Sequence, residues 1–533
     1  MTNINKIFIP LLVVLLLVLR FSFILKSPLY LDEGIYISWA DLIHQSKDFA
    51  YLSLQDGKTP LFFWMISAFG PFINNYLLSG RLISLFAGLV TAVCWMIIFS
   101  KYFNLRKSII YLFLFLIAPY GFLVERMALS DSLLMAFTSL SLMFLVLSKK
   151  ILDEKNRRKI IKFIACMLFS GISLGFAYAT KTTTRLFFVT YLMIASFWVI
   201  GYLKNKKFKN IFLMSLGLII LMFFYKEVIS CFRVGGHILW SSIAEKEKLM
   251  IYSPQEIIKR LIDNPLSAFN YSNLLLQYWG AYLSGLMIFV LIGTFKLIFT
   301  KENRKFLWLL FYWVFVTAAI CLSGKVMASR YIYATYPIML AIAVFGVDFL
   351  LSFKNKKIDM FVCLLMVLVL GQSCLLVFNP EKAIYAKDDQ SYFVSSGLTA
   401  LGLPEVIKYF DNKDKSKVLV GVCGTWGVPE GSSILLREAG LKSEIINVNE
   451  ILSSKPLENN KCDKWWIKKD SLCWRLDFGI GDESNTVRYL FVAGDDKAVE
   501  KLLEVGVKKI YQFDRYKGIT KNYFLEVPNL LVN

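Results

Sequence analysis

Eleven predominantly apolar stretches, each close to the length of a bilayer span, dominate what this chain can fold into. About 20 such residues cross the hydrocarbon core as a helix. A helix is also the form that satisfies its own backbone groups where no water can. The stretches cover about 7–25, 77–100, 108–124, 131–148, 161–179, 186–203, 211–231, 275–299, 306–322, 331–352 and 358–379. The third and fourth are short and tightly joined, as are the fifth and sixth. The first follows one lysine and no small-residue cleavage site comes after it, so it reads as a retained membrane helix rather than a removable signal.

Charge orients these spans. Of 60 Lys and Arg residues, 22 lie in 380–533, where 22 Asp and Glu balance them; the excess is therefore in 1–379, with 38 basic residues against 17 acidic. There the basic residues cluster in short connectors: Lys101, Arg106 and Lys107; Lys149 to Lys162; Lys204 to Lys209; Lys301 to Lys305; Lys354 to Lys357. They occupy every second connector, which is the positive-inside pattern. The net charge of +21 is thus a topology signal, and nucleic acid is excluded as a partner. With the N-terminus cytoplasmic, five segments and the C-terminal region face outward. The segments are the opening loop 26–76, the Glu125–Asp131 turn, the Lys181–Arg185 turn, the 232–274 loop and the Ser323–Arg330 turn.

The expected fold class is a polytopic α-helical membrane protein of about eleven spans (1–379) with a soluble extracytoplasmic domain (380–533). Strand-like runs Lys417–Cys423, Arg488–Ala493 and Lys508–Phe513, with helical periodicity at Asp495–Val505, make that domain α/β. Gly421, Gly424 and Gly427 have a phosphate-loop look, but their spacing is not the dinucleotide fingerprint. Nine cysteines show no metal-type spacing. A Cys462–Cys473 disulfide suits an oxidising compartment, and spacing alone leaves it open. His237, alone in the long outer loop, reads as a surface residue before a ligand. Glu245-Lys246-Glu247-Lys248 reads as a solvated helix face before a functional one.

Ionisable residues near membrane depth are expensive and usually functional. Here they gather at the outward ends of spans: Asp32, Glu33, Asp56, Lys58, Arg81, Glu125, Arg126, Asp131, Lys181, Arg185, Lys325 and Arg330. The competing reading, residue by residue, is structural pairing and snorkelling. As a set they suit a lipid-borne phosphate, with cations to neutralise it as it leaves and a carboxylate base for an arriving hydroxyl. Asp32 and Glu33 can share that work only if one faces the site and the other is otherwise occupied. Adjacent carboxylates also suit Mg²⁺ or Mn²⁺.

Leu31-Asp32-Glu33, Gly57-Lys58-Thr59-Pro60-Leu61, Gly80-Arg81-Leu82, Arg126 with Asp131, Lys181, and Lys325 with Arg330-Tyr331 and Pro337 stand in an order that resembles the GT-C-fold glycosyltransferases. Within these, the chain is similar to the protein O-mannosyltransferase and aminoarabinose lipid A transferase branch, glycosyltransferase families 39 and 83. The resemblance covers about residues 5–345. It implies a sugar donor on polyprenyl phosphate, a hydroxyl acceptor (protein, glycan or lipid) outside the cytoplasm, and inversion at the anomeric carbon. It implies that Asp32, with Glu33 beside it, is the catalytic carboxylate. Lys58 would lie near the carrier phosphate, and Asp56, Arg81, Arg126, Asp131, Lys181, Lys325, Arg330 and Tyr331 would line the substrate. Thr59 stands where the family often has proline, and the C-terminal domain matches nothing in this comparison. A polytopic transporter or lipid flippase is the alternative, but no internal repeat of the transporter kind occurs.

Overall fold

The computed structural model describes residues 3–154, 159–233, 240–265, 271–390, 399–424, 427–446, 457–458, 466–469, 472–475, 487–504, 506–514 and 521–527. His237 and Cys462 fall outside these residues, so neither the histidine reading nor the disulfide can be placed. The chain divides into two compact units. One comprises Met1–Ile24, Ser46–Met65 and Arg81–Ala386; the other comprises Leu25–Gln45, Ile66–Gly80 and Lys387–Asn533. The boundary expected near 380 therefore falls at 386, and two pieces of the opening loop join the C-terminal residues.

The helices are α1 (Asn3–Phe21), α2 (Leu31–Gln45), α3 (Leu61–Ile73), α4 (Tyr76–Tyr102), α5 (Leu105–Ile117), α6 (Pro119–Val124), α7 (Ser130–Asp153), α8 (Lys159–Thr180) and α9 (Thr184–Lys204). There follow α10 (Phe208–Arg233), α11 (Trp240–Met250), α12 (Pro254–Asp263), α13 (Ser272–Tyr282), α14 (Leu286–Phe299), α15 (Leu307–Ser323), α16 (Ser329–Ile332), α17 (Tyr336–Ser352) and α18 (Lys356–Phe378). Among the described residues, eight helices are long and apolar enough to cross a membrane, and nine if a bent pair counts as one. This makes the chain a multi-pass membrane protein; of the expected spans, eight stand as single long helices among the described residues and one as the bent pair.

The difference has local causes. The expected span 108–124 is broken at Ala118, which is extended (ψ 130°) because Pro119 follows it; the proline then opens α6. The expected span 275–299 is α13 and α14, bent by 112° where Ser284 takes a left-handed φ of 47°. The first apolar stretch lies in α1, a helix of 19 residues. Between spans, polar side chains hydrogen-bond across the interface: Ser170 Oγ donates to Ser141 O at 2.9 Å, joining α8 to α7.

The other unit is α/β, as its sequence pattern foretold. Its further helices are α19 (Lys387–Gln390), α20 (Leu403–Tyr409), α21 (Val428–Glu438) and α22 (Asp496–Glu504). Its strands are β1 (Val418–Cys423), β2 (Lys442–Ile445), β3 (Leu457–Glu458), β4 (Trp466–Lys469), β5 (Leu472–Arg475), β6 (Val487–Ala493), β7 (Lys508–Asp514) and β8 (Lys521–Val527). A five-stranded sheet runs β2-β1-β6-β8-β7, and β3-β5-β4 form a small antiparallel sheet. Strand β1 pairs in parallel with β2 (Val420 opposite Ser443) and with β6 (Val420 opposite Tyr489). Strand β8 is antiparallel to β6 and β7, with Phe491 opposite Phe524. Leu419, Leu490, Val492, Leu525 and, from α22, Ala498, Val499 and Leu502 form a continuous core. The parallel strands β1 and β6 read as near-continuous apolar runs because they are largely buried, which is why sequence alone located them; β2, polar and not buried, gave no such signal.

Candidate active site

The opening loop is mostly helical. Asp32 and Glu33 occupy the first turn of α2, where a carboxylate suits the helix dipole. Glu33 is fully buried and accepts the backbone N–H of Tyr30 at 3.0 Å, closing the start of the helix. Glu33 is thus engaged at the start of its own helix, and its neighbour Asp32 is buried, 7% exposed. Among the described residues no group of three His, Cys, Asp or Glu converges, and one of the two candidate carboxylates is a helix cap.

In the larger unit, two clusters form. In the first, Asp56 ends a 3₁₀ turn (Leu52–Asp56), and Gly57 reverses the chain with a φ of 70°. Lys58 Nζ lies 2.6 Å from one oxygen of Asp56, and Lys246 Nζ from α11 lies 2.6 Å from the other. Burial alone would raise the Asp56 pKa, but Lys58 and Lys246 outweigh it and hold the carboxyl below its ordinary value. Lys246 was hidden in a charge run that reads first as a solvated face.

In the second cluster, Asp131 at the start of α7 holds Lys181 Nζ at 2.6 Å. That ammonium also lies 5.1 Å from the centre of the Tyr331 ring, over which Arg330 sits at 5.5 Å. Residues about 50, 150 and 200 positions apart in sequence thereby meet.

Three expected site residues are engaged with backbone. Arg126 donates to the carbonyls of Arg20, Ser22 and Phe23 at 2.9, 2.7 and 2.9 Å, capping the C-terminal end of α1. Arg81, fully buried, donates to Ile24 O at 2.8 Å. Lys325 Nζ donates to Lys248 O at 2.6 Å and lies over the Tyr252 ring. Glu125, expected among the outward charges, is drawn into a fully buried pair with Arg20; Tyr333 Oη donates to its other oxygen at 2.6 Å. No sequence motif marked Arg20, 105 residues away.

No curated protein matches this sequence. Residues 57–229 match the family model for dolichyl-phosphate-mannose-protein mannosyltransferase. Among solved structures, ArnT from Cupriavidus metallidurans bound to undecaprenyl phosphate is similar over 100% of both chains, at 12% identity and a TM-score of 0.60. The apo state of ArnT matches over 98% of this chain and 97% of that one, at 12% identity and a TM-score of 0.56. A fainter likeness is to the archaeal oligosaccharyltransferase AglB from Archaeoglobus fulgidus, at 12% identity, 83% and 65% coverage and a TM-score of 0.45. The mannosyltransferase match begins at the Gly57-Lys58 turn and spans 57–229, and over its whole length the chain has the fold of ArnT, a GT-C fold.

Proposed function

We propose that the protein moves a sugar from a polyprenyl-phosphate carrier to a hydroxyl acceptor (protein, glycan or lipid) on the extracytoplasmic side of the plasma membrane, with inversion. The observation that carries this reading is the Asp56–Lys58–Lys246 cluster at the start of the mannosyltransferase-like segment. Two ammonium groups on one carboxylate leave the trio with a net positive charge, which favours a phosphate that gains charge as it departs. That ArnT, with the same fold, was solved with undecaprenyl phosphate supports a polyprenyl carrier.

In the reaction, the acceptor oxygen forms a bond to the anomeric carbon as the bond from that carbon to the phosphate oxygen breaks. The electron pair leaves with the polyprenyl phosphate, and the acceptor proton passes to the Asp32 carboxylate. Lys58, with Lys246, neutralises the leaving group. Lys181, Arg330 and Tyr331 serve in substrate binding, and Asp131 holds Lys181 in place. Arg81 and Arg126 contribute their charge while bracing the end of α1, and Lys325 while tethered to Lys248 O. Glu33 fixes the helix that presents Asp32. The outward location follows from the basic connectors, which hold the N-terminus in the cytoplasm.

The test is sugar transfer by purified protein from a labelled polyprenyl-phosphate donor. Asp32→Asn should lower turnover by about 10²–10⁴-fold, the range for loss of a positioned base. Intact transfer by that variant would remove Asp32 from the mechanism.

A further inference from the structure

The helix that carries Asp32 is built into the C-terminal domain's own compact unit. Ahead of α2, the Ala400 N–H donates to Leu29 O at 2.9 Å, and Tyr30 forms an isolated antiparallel bridge with Thr399. Along α2, the backbone touches that of α21. A Cβ on Gly34 would lie 1.8 Å from Gly427 O, and one on Gly431 would lie 2.5 Å from Gly34 Cα. A Cβ on Gly427, whose φ is 96°, would lie 2.4 Å from Leu31 O. At the far end, Arg437 Nη2 bonds Asp41 Oδ2 at 3.0 Å. Beside it, Glu438 Oε1 accepts the Tyr76 N–H at 2.8 Å.

The place of this contact in the sheet is telling. Strand β1 has β2 on one side and β6 on the other, both parallel to it, so strand order reverses at its C-terminal end. In open α/β sheets that crevice is where ligands bind. Here Gly427, at the turn that follows β1, is pressed against Leu31 and Gly34 of α2. Of the glycines that look like a phosphate loop, Gly427 lies against the helix, while Gly424 faces Ala493.

We propose that the C-terminal domain is a brace for the catalytic loop, and that Gly34, Gly427 and Gly431 are positioning residues that set where Asp32 stands. This rests on the role given to Asp32 above. Real Cβ atoms approach other heavy atoms no closer than about 3.0 Å, so alanine at 34 must separate the helices by about 1.2 Å. A displacement of about 1 Å at a reacting group can lower the rate by about 10²-fold.

The experiment measures kcat, donor KM and thermal midpoint for Gly34→Ala, with Leu502→Ala as the control. Leu502 sits in a core cluster that contains no residue of α21, so its loss weakens the same domain without moving α2. The expected result is a 10- to 100-fold loss of kcat for Gly34→Ala with donor KM within twofold of the parent. Leu502→Ala should keep parental kcat despite a lower midpoint. Should Gly34→Ala fail to fold, Arg437→Ala is measured in its place, with a severalfold loss of kcat expected and recovery in the charge-exchanged pair Asp41→Arg/Arg437→Asp. Parental kcat in folded Gly34→Ala, or in Arg437→Ala when that substitute is needed, overturns the brace. So does an equal loss of kcat in Leu502→Ala. Asp32→Asn separates the two ideas: if it is inactive while folded Gly34→Ala is fully active, the brace fails and the function reading stands.

Discussion

Removing Glu125 should be far more damaging than removing Arg20, although the two form one buried pair. In the native protein the Arg20 guanidinium meets the Glu125 carboxylate, donates to Phe115 O and Leu116 O, and lies 5.0 Å from the centres of the Phe115 and Phe122 rings. In Glu125→Ala, Arg20 keeps those neutral partners but loses its counter-charge, and a guanidinium cannot escape by losing its proton. Breaking a buried pair from this side costs about 3–5 kcal/mol. In Arg20→Met, the aliphatic stem is preserved and the stranded carboxyl can take up a proton while still accepting from Tyr333. The cost there is about 1–3 kcal/mol, that of an imperfectly satisfied buried polar group. The double variant strands neither charge, so a coupling of about 2 kcal/mol is expected. Equilibrium unfolding in mixed micelles, followed by tryptophan fluorescence, gives all three differences. Additivity within about 0.5 kcal/mol, or Arg20→Met proving as costly as Glu125→Ala, would refute the reasoning.

Other outcomes are equally specific. Burial pushes the Glu438 carboxyl up to about 7, with nearby Asp41 adding to the effect and the Tyr76 N–H and Arg437 opposing it. The folded state therefore holds a proton that the unfolded chain releases, and stability should fall as pH rises from about 4.5 to about 7. Glu438→Gln should flatten that part of the stability profile, read from thermal midpoints across pH. For Asp56 the sign is opposite: its depressed pKa means the contribution of the Lys58 and Lys246 contacts persists at neutral pH and is lost only as pH falls below the ordinary carboxylate range. Lys58→Met should raise donor KM by at least about tenfold, equivalent to about 1.4 kcal/mol of lost binding, and an unchanged KM would remove Lys58 from carrier recognition. Lys181→Met should likewise raise donor KM, measured in the same assay, and leave Asp131 without its ammonium partner.

The membrane spans were legible because length and hydropathy are local properties. Where they misled, a local backbone feature intervened: a proline at 119 and a left-handed Ser284. The strands at 418–423, 487–493 and 508–514, and the helix at 496–504, were equally visible. Helix α2 was not, since Ile35, Tyr36 and Ile37 are all buried, which hides any one-sided period. At the site, the sequence offered Asp131, Lys181 and Tyr331 as members of one larger set of charges and motif residues without marking that these three meet, and the adjacency of Asp56 and Lys58 needed no structure. Lys246 and Arg20 were illegible for one reason: their partners are 190 and 105 residues away, and nothing near them in sequence records the meeting.

Helix α11 ties three distant turns to one short rod. Lys246 reaches Asp56, Glu247 reaches Arg185 at 2.9 Å, and Lys248 and Met250 offer their carbonyls to Lys325. Because these anchors are consecutive on one helix, they share a single phase. One residue inserted ahead of Lys246 would rotate the following side chains by about 100° and advance them by about 1.5 Å. All three ties would then be lost in one step. The segment works as a gauge block, tolerant of changes in its outward surface and intolerant of any change in its length.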